Sequence, residues 1–282
     1  MSENLSLQPE FGIIGGSGLC SFPELRTLKK VVVETPFGMP SDLITIGTIE
    51  AANKEQQIVA FLPRHGEGHT IPPHKVPYKA NIDALIKLGV KQIFATCIAG
   101  SLKTKICPGD LVIPDQFVNL TWGRDDYFDI DKHLIHLPMA EPYCSNLREI
   151  LYECAQALGF RVHKEGTVVV IQGPRFSTRA ESEWFSRQSW DIINMTQYPE
   201  CYFAREQGLC YAVLAFITDY DVGLKEDVTI SVEGMKKVLE IFRVGIERQK
   251  VLLRSAVHQK WDIPKCYCST VNFNEYYKGL DL

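Results

Sequence analysis

The side chains best suited to chemistry occur in short clusters, most of them at the end of an apolar run. Pro63-Arg64-His65-Gly66 sets a guanidinium fork beside an imidazole, directly after the apolar residues 58–62. Arg can offer a tetrahedral oxyanion two parallel charge-assisted hydrogen bonds. Ile13-Ile14-Gly15-Gly16-Ser17-Gly18 carries a strand into a turn of small residues, exposing backbone N–H groups and a hydroxyl in the way a protein cradles an anion. That turn lacks the third glycine and following helix of a dinucleotide fingerprint, and the Gly-Lys-Ser/Thr ending of a nucleotide P-loop. Cys97-Ile98-Ala99-Gly100-Ser101-Leu102 repeats the strand-then-turn pattern. Ligands of open α/β sheets sit beyond such strand ends, so the three segments together predict one oxyanion where they meet. Taken singly, each is equally a tight turn or a solvated Arg–His pair.

Three further clusters suit a sugar and a flat base. Gln172-Gly173-Pro174-Arg175-Phe176-Ser177-Thr178-Arg179-Ala180-Glu181 couples a rigid turn to a ring that could stack on a base. The same Phe could instead be a core residue beside a helix capped by Ser177 or Thr178, with Glu181 near its N-terminus. Asn194-Met195-Thr196 closes a short apolar run, where Met can cover a sugar face and Thr can donate to an anion. Thr218-Asp219-Tyr220-Asp221 ends the strongly apolar residues 211–217. Two carboxylates there are costly to hold unless they meet donors. A purine offers such donors in a protonated N7 and, for adenine, a 6-amino group. A solvated Asp turn is the plain alternative.

Positioning these clusters requires short strands. β-rich runs at residues 11–14, 30–34, 43–49, 58–62, 92–97, 111–114, 167–171, 191–195 and 211–218 are punctuated by turn residues, and several are continuously apolar, as strands covered on both faces are. Apolar stripes at 78–88 and 145–158 predict helices between them. A last helix is predicted over 231–257, with a simple Ser231 cap, because Gly234 stands where a capping box needs Glu or Gln. Strand and helix alternate without repeat, low-complexity tract or linker, so one α/β domain is expected.

Whole-chain properties narrow the partners. A net charge of −4 without a Lys/Arg run speaks against a polyanion, so a small molecule is expected rather than nucleic acid. The opening residues lack a basic start followed by an apolar core, and no apolar stretch is long enough to span a bilayer, which predicts a cytoplasmic chain. Nine scattered cysteines, with Cys97, Cys154 and Cys210 inside apolar runs, are expected to be mostly reduced. Cys266-Tyr267-Cys268 is spaced too closely for half of a four-cysteine zinc site and has no second pair of suitable spacing nearby. No metal is therefore expected, and the pair reads as a redox pair or an inert tail.

Taken in chain order, Gly15-Gly16-Ser17-Gly18, Arg64-His65-Gly66, Pro138-Met139-Ala140-Glu141-Pro142, Gly173-Pro174-Arg175-Phe176-Ser177, Asn194-Met195-Thr196 and Thr218-Asp219-Tyr220-Asp221 make residues 11–252 resemble the S-methyl-5'-thioadenosine phosphorylases of the trimeric purine nucleoside phosphorylase family. The resemblance implies a single α/β domain over residues 11–256, with a central mixed, partly barrel-like β-sheet flanked by helices, between tails at 1–10 and 257–282. It implies reversible phosphorolysis of methylthioadenosine to adenine and 5-methylthioribose 1-phosphate, with phosphate as co-substrate and no cofactor. Ser17, Arg64, His65, Cys97, Ile98 and Thr196 would then hold phosphate, Met195 would cover the ribose, and Phe176 and Ser177 would meet the base. Asp219, as catalytic acid, and Asp221 would face N7 and the 6-amino group, with Tyr220 between them. His136 would reach a neighbouring subunit's 5' pocket in a homotrimer, and Val232 and Met235 would line that pocket.

Three features depart from the family pattern: Cys97 replaces a Thr, Ile98 and Ala99 replace other small residues, and Lys236 replaces an apolar residue near the 5' pocket. Lys236 would make that pocket more polar, which leaves adenosine or a larger 5' substituent open, and a purine nucleoside phosphorylase acting on adenosine, methylthioinosine or 6-oxopurine nucleosides is the alternative activity. Cys144 and Cys210 match a disulfide of some heat-stable members, whose tail motif Cys266-Tyr267-Cys268 also resembles. A nucleosidase using water and a non-catalytic nucleoside-binding protein are the competing readings.

Overall fold

The continuously apolar runs become interior strands because each can pair on both edges and be covered on both faces. In the computed structural model, residues 8–51, 54–128, 136–222, 232–259 and 266–268 are described. The Ser231 cap and the side chains of Val232 and Met235 lie outside the described residues. The chain runs β1 (Phe11–Gly15), β2 (Arg26–Val31), β3 (Ile44–Glu50), β4 (Gln56–Pro63), α1 (Tyr78–Lys87), β5 (Gln92–Ser101), β6 (Leu111–Val112) and β7 (Gln116–Leu120). It continues through α2 (Ser145–Ala157), β8 (Val162–His163), β9 (Thr167–Ile171), α3 (Arg179–Arg187), β10 (Ile192–Asn194), α4 (Gln197–Glu206), β11 (Cys210–Tyr220) and α5 (Val232–Ala256).

The expected mixed sheet flanked by helices is present, and it forks. One path runs β2-β3-β4-β1-β5-β10-β9-β7, while β11 leaves β5 and leads through β6 to β8. β5 is the trunk: β1 and β11 flank it in parallel, and its last residues, Gly100 and Ser101, also pair antiparallel with Ile193 and Ile192 of β10. Two apolar layers cover the sheet. One gathers Ile14, Ile93, Ala95, Val213 and Ala215 with residues of α1 and α4. The other gathers Phe11, Ile13, Phe94, Leu214 and Phe216 with α2 and α5.

Three sequence expectations change. The strand expected at 30–34 lies at Arg26–Val31, an exposed edge whose position is set by antiparallel pairing with β3, since it has no buried face to fix its register. The turn expected from Cys97 is strand as far as Ser101, because β11 and β10 both supply ladder partners to that stretch. β7, β8 and α4 are elements that periodicity did not reveal. Among the described residues no helix is long and apolar enough to cross a membrane.

Candidate active site

Two strand ends meet beside the middle of β5. β1 sets Gly15 opposite Pro63 of β4 and Ile14 opposite Ala95 of β5. Gly16-Ser17 and Arg64-His65, beyond the ends of β1 and β4, are thus neighbours of Thr96-Cys97 within β5, at the crevice beyond parallel strands. Arg64 N donates to Gly15 O at 2.9 Å, and Gly16 N donates to Thr96 Oγ1 at 2.9 Å. Gly16 is required by close approach: a Cβ there would overlap the Thr96 carbonyl and lie 2.9 Å from Arg64 Nη1. Ser17 follows, half-buried on the turn.

Arg64 is 1% exposed, so its charge must be met inside the protein. Its Nε and Nη2 each donate to one oxygen of Glu200 at 2.6 Å, and Nη1 donates to the Thr96 carbonyl at 2.8 Å. Tyr211 adds a hydroxyl donated to Glu200 Oε1 at 2.6 Å. Burial alone would lower the Arg64 pKa, but the adjacent Glu200 carboxylate more than offsets it and raises the pKa above its ordinary value. These three bonds occupy three of the five guanidinium N–H groups, leaving two to serve an anion.

His65 is buried beside Arg64, and its Nδ1 lies 2.7 Å from the Ile71 carbonyl. A carbonyl only accepts, so Nδ1 carries the proton and Nε2 is left as an acceptor. Burial, then the neighbouring Arg64 charge, pushes its pKa down to about 4, leaving the ring neutral near pH 7.

Cys97 is buried, its thiol raised by burial and approached by Gln197 Nε2 at 3.6 Å. Gln197 in turn accepts the Tyr143 hydroxyl. The Cys97 carbonyl accepts from Gln249 Nε2 at 3.1 Å, which fixes α5 to β5. Ile98 is partly buried in the second layer. Thr196, 6% exposed, precedes α4 without a side-chain cap bond, so its hydroxyl is not used by the helix.

Asp219 is placed by a bulge. β11 pairs Ile217 with Ala99 and then Asp219 with Gly100, making Thr218 the extra residue, and such a bulge re-aims the side chain beyond it. Thr218 Oγ1 donates to Asp219 Oδ1 at 2.6 Å. Asp219 Oδ2 and Asp221 Cβ lie 3.8 and 3.7 Å from where a Gly100 Cβ would stand, so both aspartates border the backbone at Gly100. The Tyr220 hydroxyl lies 3.5 Å from the Thr104 carbonyl. From Thr96, which receives Arg64, to Gly100, which faces Asp219, β5 advances four residues, about 13 Å at the usual rise. A sugar with an anion on one side and a base on the other fits that span.

Met195 and the 173–177 segment meet: a Cβ on Gly173 would lie 2.5 Å from Met195 Sδ. Ser177 Oγ is buried with no hydrogen-bond partner among the described residues, so it is available to a ligand. Phe176 is 71% exposed, which excludes the core reading. Thr178 caps α3 and Glu181 completes a capping box, while Arg175 clamps the Glu181 carboxylate with two bonds of 2.7 Å. His136 and Lys236 are exposed on this chain. A cavity of about 350 Å³ beside α1, lined by Phe37, Tyr78, Arg124 and Phe203 among others, includes none of the site residues.

Sequence reasoning missed Glu200, Thr96, Gln197 and Gln249. Glu200 lies 136 residues from Arg64, and only its place four residues after Thr196 hinted at a role.

The family model of the phosphorylase superfamily matches residues 10–257. An S-methyl-5'-thioadenosine phosphorylase of Mycolicibacterium smegmatis is 50% identical over 76% of this chain and 78% of its own length. One from Nitrosopumilus maritimus is 43% identical over 92% of this chain and 95% of its own. Among solved structures, a mutant adenosine/methylthioadenosine phosphorylase from Schistosoma mansoni in complex with methylthioadenosine superposes with a TM-score of 0.81 at 36% identity, covering 96% of this chain and 97% of that one. A match over nearly the whole domain, on a fold whose strand ends assemble the residues above, places this chain in the phosphorylase superfamily, within the family of these S-methyl-5'-thioadenosine phosphorylases.

Proposed function

We propose that this chain catalyses reversible phosphorolysis of S-methyl-5'-thioadenosine to adenine and 5-methylthioribose 1-phosphate, a step of purine and methionine salvage. The observation that carries the reading is the arrangement along β5: a buried Arg64–Glu200 pair with two spare N–H donors at one level, and Asp219 four residues further on. Phosphate sits between Arg64, the Gly16-Ser17 turn, the backbone at Cys97 and Ile98, and Thr196. His65 Nε2 accepts a P–OH proton. Met195 covers the ribose, and Phe176 and Ser177 meet adenine.

As the C1'–N9 bond breaks, its electron pair passes to the purine, and Asp219 holds a proton at N7 while Asp221 accepts from the 6-amino group. A phosphate oxygen then bonds to C1' from the opposite face. Catalysis rests on positioning and on charge fixed in advance. Phosphate is a co-substrate, and the chemistry needs no further group.

The proposal extends to a cytoplasmic homotrimer in which the exposed His136 completes a neighbour's 5' pocket beside Val232, Met235 and Lys236. A mass in solution of one chain would sink that extension. The substrate is tested by initial rates on methylthioadenosine, adenosine, methylthioinosine and inosine with phosphate. The two aspartates favour both 6-amino nucleosides over their 6-oxo counterparts. Faster turnover of inosine than of adenosine would reverse the assignment of Asp221.

A further inference from the structure

Four cysteines far apart in sequence meet at one point. Cys144 precedes the first turn of α2, Cys210 opens β11, and Cys266 and Cys268 follow α5. Their four Sγ atoms all lie within 4.8 Å of one another, and those of Cys210 and Cys266 approach to 3.2 Å. Cys144, Cys266 and Cys268 are buried in the second apolar layer, with Cys210 packed against it. Two separate bridges would need only two close pairs, whereas here every sulfur lies within 4.8 Å of every other, as the ligands of one ion do. Thiolates on a zinc ion at about 2.3 Å stand about 3.8 Å apart, so small side-chain rotations bring these four onto one ion.

The surroundings suit excess negative charge. Arg205 Nη1 lies 3.5 Å from Cys268 Sγ, and the N-terminus of α2 begins at Cys144. Cys144 N also donates to Tyr211 O at 2.9 Å, which fixes the start of α2 to β11. The close spacing of Cys266 and Cys268 is thus completed in space by Cys144 and Cys210.

We propose that Cys144, Cys210, Cys266 and Cys268 form a structural tetrathiolate site for a soft divalent cation, zinc foremost, which ties the segment beyond α5 to α2 and β11. Binding releases the thiol protons to solvent and involves no redox step. The site opens β11 and Asp219 lies near its other end, about 30 Å away at the rise of an extended strand. The inference is therefore independent of the catalytic reading.

The full chain, purified reduced in the presence of zinc and then desalted, is expected to carry one zinc per chain by elemental mass spectrometry. Cobalt in its place is expected to show the intense sulfur-to-metal absorption of tetrahedral thiolate coordination. The double variant Cys266→Ser with Cys268→Ser is expected to fall to trace zinc while still releasing adenine. Trace zinc in the wild-type chain overturns the proposal, as do full zinc in the double variant and peptide mapping that finds the four cysteines joined as two disulfides in the metal-exposed preparation.

Discussion

A guanidinium buried as deeply as that of Arg64 survives as a cation because Glu200 and the Thr96 carbonyl receive most of its donors. Removing the Glu200 charge leaves Arg64 uncompensated and free to turn, whereas changing Asp219 leaves the anion end intact. Glu200→Gln is therefore expected to raise the KM for phosphate and to destabilise the fold by about 3–5 kcal/mol. Asp219→Asn is expected to lower kcat by about 10²-fold or more with the phosphate KM little changed. Steady-state kinetics in both substrates separate the two. Unchanged turnover in Asp219→Asn removes that residue from the acid role.

His65 adds a pH signature. The unfolded chain takes up this proton below its ordinary pKa of 6.5, while the folded chain resists to about 4. The contribution is thus complete above pH 6.5 and lost as pH falls through that window, about 3 kcal/mol in all. Urea midpoints between pH 7 and 4.5 should fall more steeply for the wild type than for His65→Gln, and parallel curves would contradict a neutral buried ring. Arg64, His65 and the aspartates were legible by type and by their place after apolar runs. Glu200 was not, since its pairing crosses most of the fold.

At the scale of elements, the site depends on how closely α5 approaches the sheet. Gly245 makes that contact, because a Cβ there would run into the Phe216 ring of β11. One turn later on the same face, Gln249 donates to the carbonyls of Cys97 and Leu214. Gly245→Ala overpacks this seam at a cost of about 1–3 kcal/mol and should lower Tm by roughly 2–8 °C. An unchanged Tm in thermal unfolding would show that the seam is loose. Elements with a buried face were legible: β9 lies at the residues that periodicity gives, and α1 and α2 within one residue. The edge strand β2 and the two-residue β8 were not placed by local sequence, because partners elsewhere in the chain set their positions. The continuation of β5 past Cys97 was hidden because Ala99-Gly100-Ser101 looks like a turn until β10 and β11 are laid beside it.

For the whole molecule, the forked sheet gathers side chains from the ends of five strands around the trunk β5, so no single segment contains the site. That is why each motif was ambiguous alone, and why their order along the chain carried more than any one of them. Pairing at a distance also assembled the four-cysteine cluster, which spacing along the chain argued against. The central claim is that an anion cradle and an aminopurine acceptor act on one sugar carbon, and the phosphate dependence of adenine release from methylthioadenosine tests it most directly. Phosphorolysis predicts negligible release without phosphate and stoichiometric 5-methylthioribose 1-phosphate with it. Equal release in both conditions, with free methylthioribose as product, would contradict the claim and make water the nucleophile.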